Sequence, residues 1–227
     1  MNEFLSRFKQ MLSNEQLDNL LSKKIILFGV GGVGGAVAEM LVRSGVTNLT
    51  IVDFDKIDIT NINRQIISTN SNIGRLKVEA FKDRLLDINP NLNLTTIANS
   101  LTDENILDYN LKHYDYVIDC IDDLKAKQAL IKFCYENKIR LLVSCGAGNR
   151  YKEIPHFEVE DIHKTSYDVL AKLLRKFCVK EGIKKLPVVY TKQKSLKFDC
   201  KTIGSVVYYP MSMACVIVAK VINDIIA

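Results

Sequence analysis

Gly29-Val-Gly31-Gly32-Val-Gly34 sits between an apolar, β-rich run at 24–28 and a helical pattern at 33–43, which puts the G-x-G-x-x-G spacing at a strand-to-helix turn. Without β-carbons the backbone can turn tightly and point its N–H groups, with the helix N-terminus, at a phosphate. Asp53 stands 19 residues beyond Gly34 at the end of the next strand, placed to accept hydrogen bonds from ribose hydroxyls. Together these features indicate an adenine nucleotide, although glycines at this spacing also serve a tight helix–strand contact with no ligand.

The segment after the second strand separates a dinucleotide oxidoreductase from an ATP user. Asn61-Ile-Asn63-Arg64-Gln65 packs amides and a guanidinium into one loop, and Lys77 opens the next helix after Gly74. A triphosphate attacked at its α-phosphorus needs cations on its phosphates, whereas a nicotinamide enzyme needs no such pair beside its adenosine. Singly, Arg64 suits a surface ion pair and Lys77 a solvated helix face. Combined with the glycine loop, they favour phosphate contacts. Asp119 and Asp122 close the fourth strand, where hard carboxylate oxygens can meet Mg²⁺ and phosphate. Asp122 or Asp123 also precedes a helix beginning near Leu124, and that N-cap is assigned to Asp123.

The elements that must position these groups alternate. Strand patterns at 24–28, 49–52, 92–97, 116–118 and 141–144 are separated by helical patterns at 33–43, 76–88 and 124–137. Short apolar runs between longer helices imply an α/β, Rossmann-like, doubly wound and mostly parallel sheet, whose ligands bind at the carboxyl ends of its strands. After Gly148 the rhythm changes to strands at 157–159 and 188–190, an amphipathic helix at 166–179 and a closing helix at 210–226. The C-terminal half is therefore expected to add antiparallel strands.

The 227 residues, 48% hydrophobic and 25% charged, exclude a disordered tail protein. With no repeat period or linker, one domain over 1–227 is expected, with a nucleotide-binding part at 23–148 and a substrate-facing part at 149–227. Residues 164–201 hold eleven basic and three acidic side chains, a local +8 that leaves the rest of the chain at −3. Such a block suits a polyanion partner as well as a solvated lysine-rich face. Six cysteines contain no C-x-x-C pair, which argues against a zinc ribbon, and buried, reduced thiols are expected for all of them. Glu3, Arg7 and Lys9 interrupt the apolar residues of the N-terminus, so no signal peptide is expected and the location is read as cytoplasmic. The uncharged stretch 202–219 is read as a buried strand-turn-helix rather than a membrane span.

At these residues the chain resembles the ThiF/MoeB/ubiquitin-activating-enzyme superfamily of ATP-dependent adenylating enzymes. The glycine loop, Asp53-Phe-Asp55, Asn61 to Gln65, Gly74 to Lys77, Ile88-Asn-Pro90 and Asp119-Cys-Ile-Asp122 recur in that superfamily's order and spacing. The resemblance implies that Gly29, Gly31, Gly32, Gly34 and Asp53 hold the nucleoside and loop, with Asn61, Arg64 and Lys77 on the phosphates. It places Asn63 and Gln65 in the same pocket and Asp122 on Mg²⁺. Phe4-x-x-Arg7 lies 22 positions before Gly29, and an arginine so placed in the superfamily reaches into the other protomer's nucleotide site, which implies a homodimer. Arg7, Arg64, Lys77 and Asp122 are thus the catalytic set the resemblance implies.

The branch is indicated both by missing cysteine pairs and by the C-terminal half. Sulfur-carrier activators usually carry two C-x-x-C zinc pairs, absent here. The rest of the chain resembles the bacterial tRNA threonylcarbamoyladenosine dehydratase branch through Ser144-Cys-Gly146-Ala147-Gly148, Asp161 to Thr165, Asp168 to Arg175, and Ile203-Gly204-Ser205 through Pro210. That branch implies ATP and Mg²⁺, a tRNA carrying threonylcarbamoyladenosine, and cyclising dehydration of that nucleoside. It leaves open a sulfur-relay protein as a further partner. The alternative is adenylation of the C-terminus of a ubiquitin-like sulfur carrier.

Overall fold

The computed structural model describes residues 3–199 and 202–227. Cys200, one of the thiols expected to be buried, and Lys201, the last cation of the basic block, lie outside the described residues. The chain opens with two helices that the sequence pattern did not announce, α1 (Ser6–Lys9) and α2 (Asn14–Ser22), the second closed by a capping box between Ser13 and Gln16. Then come β1 (Lys24–Phe28), α3 (Gly34–Arg43), β2 (Asn48–Val52), α4 (Lys77–Ile88), β3 (Asn93–Ile97), β4 (Tyr116–Asp119), α5 (Leu124–Glu136) and β5 (Leu141–Ser144). The later half adds β6 (Glu158–Asp161), α6 (Val169–Lys180), β7 (Pro187–Tyr190) and α7 (Tyr208–Ile226).

The strands form one seven-stranded sheet in the order β3-β2-β1-β4-β5-β7-β6. All ladders are parallel except the last, in which β6 runs against β7. The expected antiparallel addition is thus a single pairing, Glu158↔Tyr190 through Asp161↔Pro187, and β7 itself continues the parallel sheet beside β5. The inner strands are buried on both faces, unlike the edge strands β3 and β6, which explains why β1 reads as an unbroken apolar run rather than an alternating one. Ile25 and Leu27 point into a core shared with α3, α4 and α7. Ile26 and Phe28 point into a second core shared with α5 and α6. Because side chains alternate with period two, a one-residue slip of β1 would exchange these two sets.

The uncharged stretch forms no strand: Ile203 to Val206 is irregular and α7 starts at Tyr208. Pro210 is its third residue, within the first turn, where a missing N–H breaks no intrahelical bond. The helix is long and apolar enough to cross a membrane, yet half of its apolar window is buried inside the fold. Met213, Ala214, Ile217 and Val221 are fully buried, Tyr116 Oη donates to Asp224 at 2.8 Å, and Gln16 Nε2 donates to the Ile226 carbonyl at 3.1 Å. Those bonds and that packing make α7 a core helix.

Asp119 departs from the expected open edge of β4. It is fully buried, its Oδ1 accepts from the Ile121 N–H at 2.9 Å, and Lys127 in α5, also fully buried, pairs with it at 2.8 Å. Burial pushes this carboxyl above its ordinary range, and Lys127 opposes the shift. Asp119 is therefore a structural anchor for the turn after β4 and not a metal ligand facing the crevice. Lys127→Met, which leaves a buried carboxylate unpaired, should lower stability by about 3–5 kcal/mol in urea titration, and adding Asp119→Leu should recover most of it.

Candidate active site

Strand order reverses direction between β1 and β4, and the crevice above that point is where open α/β sheets bind ligands. The glycine turn rises there. Gly29 has φ of 82°, and a β-carbon on it would lie 2.7 Å from the Cys120 carbonyl oxygen. A β-carbon on Gly34 would lie 1.8 Å from the carbonyl oxygen of Gly29 itself. These two glycines are demanded by the turn. Gly31 and Gly32 are not, since their β-carbons would meet nothing nearer than Gln65 Nε2 at 3.7 Å and Pro210 Cβ at 3.4 Å. They leave a bare stretch of backbone over which a phosphate can approach. The helix behind it is open too: Ser13, Asp123 and Asp168 cap α2, α5 and α6 with side chains, whereas α3 has no side-chain cap. Gly35 N–H is taken by the Gly31 carbonyl, and the positive end of the helix dipole faces the turn, where it favours an anion.

Asp53 is held from three sides. Val30 N–H in the glycine turn donates to Oδ2 at 2.8 Å, Asp55 N–H donates to Oδ1 at 2.9 Å, and Lys77 Nζ lies 3.9 Å from Oδ1. Lys77 is only 4% exposed and its ammonium bonds Asp55 at 2.6 Å, so it is not the solvated residue its position alone suggested. A fold-back brings it there, with Ile57 N–H donating to Arg75 O and Lys77 N–H to Asp55 O. Burial pushes the Asp53 carboxyl above its usual range, while Lys77 and the two backbone donors pull it down.

The loop at 61–65 continues from a tight 3₁₀ turn capped by Asp58 and Asn61. Asn61 Oδ1 accepts from Asp58 N–H, and Asn63 Nδ2 donates to Ser205 O at 2.9 Å, tying this loop to the segment before α7. Arg64 donates to Thr60 O and Asn63 Oδ1 and, among the described residues, pairs with no carboxylate. Its charge is therefore left for something outside the chain. Gln65 is buried beside Gly31, and its Oε1 has no hydrogen-bond partner among the described residues. An orphaned acceptor there fits a ligand donor.

Asp122 is exposed on the turn that touches Gly29, and Asp123 accepts from Ala126 N–H as the cap of α5. Arg7 is not part of this constellation. It lies exposed on α1, and the preceding Leu5 packs on Gly45, just past the far end of α3. The length of that helix puts Leu5, two residues before Arg7, about 15 Å from the glycine turn.

From residue 5 to residue 225 the sequence matches the ThiF family. The chain belongs to that family. It is similar to the tRNA threonylcarbamoyladenosine dehydratase of Bacillus subtilis (strain 168), at 40% identity over 79% of this chain and 70% of the relative. The enzyme of the same name from Haemophilus influenzae is 39% identical over 73% of this chain and 63% of the relative, so the alignment spans about two thirds of these relatives. Among solved structures it is similar to E. coli tRNA N6-threonylcarbamoyladenosine dehydratase, TcdA, in complex with ATP, with a TM-score of 0.91, 29% identity, and 99% of this chain and 96% of that chain covered.

One feature of this ThiF-family chain escaped sequence reading. Arg150, only 5% exposed, donates to the carbonyls of Gly146, Gly148 and Gln193 and lies 3.5 Å from Asp168. Asp168 in turn accepts from Gly146 N–H and Ala171 N–H. The guanidinium staples the turn after β5 to the start of α6 and to the strap after β7. Only the oddity of an arginine directly after Gly146-Ala-Gly-Asn could have hinted at it.

Four of the described thiols are unreactive. Burial pushes Cys134 up to about 12 and Cys178 up to about 11, and Cys120 stands at about 12. Cys145 is raised further, again by burial. Such groups stay protonated and are poor nucleophiles. Cys215 departs from the expectation of uniform burial: it is exposed on α7, because its position faces away from the core filled by Ala214 and Ile217.

Because its folded-state pKa is raised, Asp53 binds its proton more tightly in the native than in the unfolded chain, so its contribution to stability falls as pH rises above the ordinary carboxylate range. Asp53→Asn should therefore cost little stability at pH 7 by thermal melting. It should weaken ATP binding about tenfold to a hundredfold by calorimetry, the loss expected for a charge-assisted hydrogen bond.

Proposed function

We infer that this chain is an ATP-dependent tRNA threonylcarbamoyladenosine dehydratase. The observation that carries this reading is the joint one: an uncapped glycine turn with its buried acid at the β1–β4 crevice, in a chain similar along nearly its whole length to the ATP-bound dehydratase. We take 1–227 as one adenylating unit, a reading supported by the continuous sheet that joins both halves.

The chemistry is activation and then ring closure. A carboxylate is a poor electrophile until one of its oxygens belongs to a good leaving group. An oxygen of the threonyl carboxylate attacks the α-phosphorus of ATP and pyrophosphate departs. The carbamoyl nitrogen or oxygen of the same substituent then attacks the acyl carbon, AMP leaves with the former carboxylate oxygen, and a carbamoyl N–H gives up its proton. The second step is intramolecular, with an effective molarity of order 10⁵ M or more when well oriented, and it asks for no enzyme thiol. Asp53 binds the ribose and Lys77 offsets part of the upward push of burial on that carboxyl, while the open N-terminus of α3 and the unneutralised Arg64 bind phosphate. Asn61, Asn63 and Gln65 line the pocket.

Mg²⁺ binds through one or two carboxylates with phosphate oxygens and waters completing its shell, so the exposed Asp122 beside the glycine turn fits as its ligand. When bound, the ion would neutralise charge on the phosphates. Arg7 lies too far from its own glycine turn to act there, which supports a homodimer in which it enters the partner's site. The basic block supports tRNA binding: Lys172, Lys176 and Lys180 are exposed on α6, and Lys184 and Lys185 lie exposed in the turn before β7. Of its acids, Asp168 is buried against Arg150 and Glu181 pairs with Lys132. Reduced thiols and an ATP-driven reaction on tRNA support a cytoplasmic location.

Incubation with ATP, Mg²⁺ and tRNA bearing threonylcarbamoyladenosine should release AMP and the cyclised nucleoside, read by chromatography and mass spectrometry. Arg7→Ala and Asp122→Ala should each abolish turnover with the fold intact, and mixing the two variants should restore part of it. A fully active Asp122→Ala protein removes the magnesium assignment, and failure of the mixture removes the shared site.

Charge reversal at Lys184, Lys185, Lys192 and Lys194 should weaken tRNA binding and flatten its salt dependence while ATP affinity holds. Unchanged tRNA affinity would return the block to a solvated face.

A further inference from the structure

Tyr167 is the one aromatic residue among the described non-glycine residues with positive φ, at 57°. An aromatic side chain in that region of backbone space is strained, and the conformation persists only where its surroundings hold it. Both flanks do so. On one side Thr165 accepts from Arg175 at its carbonyl and hydroxyl, at 2.7 and 2.6 Å. On the other side Asp168 is buried, bonded to Gly146 N–H and Ala171 N–H and paired with Arg150. Between pinned Thr165, two residues before it, and Asp168, the Tyr167 residue is 61% exposed, with Lys194 Nζ 5.0 Å from its ring centroid.

The bond from Gly146 to Asp168 fixes where this ring stands. Gly146 comes just after β5, whose neighbour β4 adjoins β1, so Tyr167 shares the carboxyl edge of the sheet with the glycine turn. At the spacing of adjacent strands, β5 lies about 10 Å from β1. The sequence around Tyr167 is cationic, with Lys164 and Lys172 exposed on either side, Lys164 3.9 Å from Glu160 in a surface pair, and the intervening acid, Asp168, buried.

We propose that Tyr167 is a stacking platform for an unpaired nucleobase of the RNA substrate, with Lys194 covering part of the ring and the flanking lysines meeting the phosphates on either side of that base. The platform rests on the reading of this chain as a tRNA-modifying enzyme. A rigid exposed ring among cations is how proteins hold single-stranded nucleic acid, since every base offers a π-face. A protein partner would find matching carboxylates useful but would not need the ring held in a strained conformation. The platform binds the base equally in the ground and transition states, so its loss should appear in KM and not in kcat.

The test compares wild type with Tyr167→Ala and Tyr167→Phe. Tyr167→Ala should raise KM for the modified tRNA about tenfold to a hundredfold, with kcat and the KM for ATP retained, and Tyr167→Phe should behave as wild type. An unchanged KM for tRNA in Tyr167→Ala, while wild type turns over, would overturn the proposal. A single-stranded RNA carrying 2-aminopurine supplies a readout independent of turnover. Its fluorescence should be quenched by wild type and by Tyr167→Phe but not by Tyr167→Ala, and equal quenching by all three would also overturn it. If wild type binds this RNA but fails to convert the modified tRNA, the dehydratase reading falls while the quenching series still decides the stacking site.

Discussion

Two backbones approach each other at the top of the sheet more closely than any side chain would permit. The carbonyl of Cys120 lies against Gly29, and the carbonyl of Gly29 lies against Gly34. This contact sets how near the turn after β1 comes to the turn after β4, and so the width of the crevice between them. Asp53 is tied into it through Val30, and α3 begins where it does because the chain has already turned inside that contact. The remaining architecture keeps β1 and β4 adjacent, in register and buried on both faces, so that the contact survives thermal motion.

Two acids at strand ends show how one kind of pair serves two purposes. Asp119 and Asp53 are both pushed upward by burial and both opposed by a lysine. Asp119 and Lys127 are closed off completely, and what they determine is the path of the chain from β4 into α5. Asp53 keeps an open edge, and its lysine is shared with the exposed Asp55, which leaves that carboxylate both fixed and reachable. The distinction lies in a few ångströms of burial, not in residue type.

Those few ångströms are not written in the sequence. The strand at Lys24–Phe28, the glycine turn after it and the acid closing β2 are local patterns, with period, glycine spacing and residue type all visible within one stretch. The cap by Asp123 is equally local and was legible. Asp119 and Asp122 are alike on paper, and only the distance across to Lys127 tells the anchor from the exposed acid. Arg150 was invisible for the same reason, since its partners Gln193 and Asp168 lie far along the chain. The missing strand before α7 has another cause: an uncharged run reads as buried, yet Ile203 is exposed and its neighbours bond to Asn149 and Asn63 instead of to a ladder.

The way β7 joins the sheet has a mechanical side. The strands that carry the nucleotide crevice, β3 to β5, are contiguous, and the β6–β7 pair is appended beyond them through only Val143↔Val188 and Ser144↔Val189. A seam that short leaves the far edge of the sheet to be held by what packs on its two faces, α7 on one and α6 on the other, so that edge is carried by side-chain packing more than by its ladder.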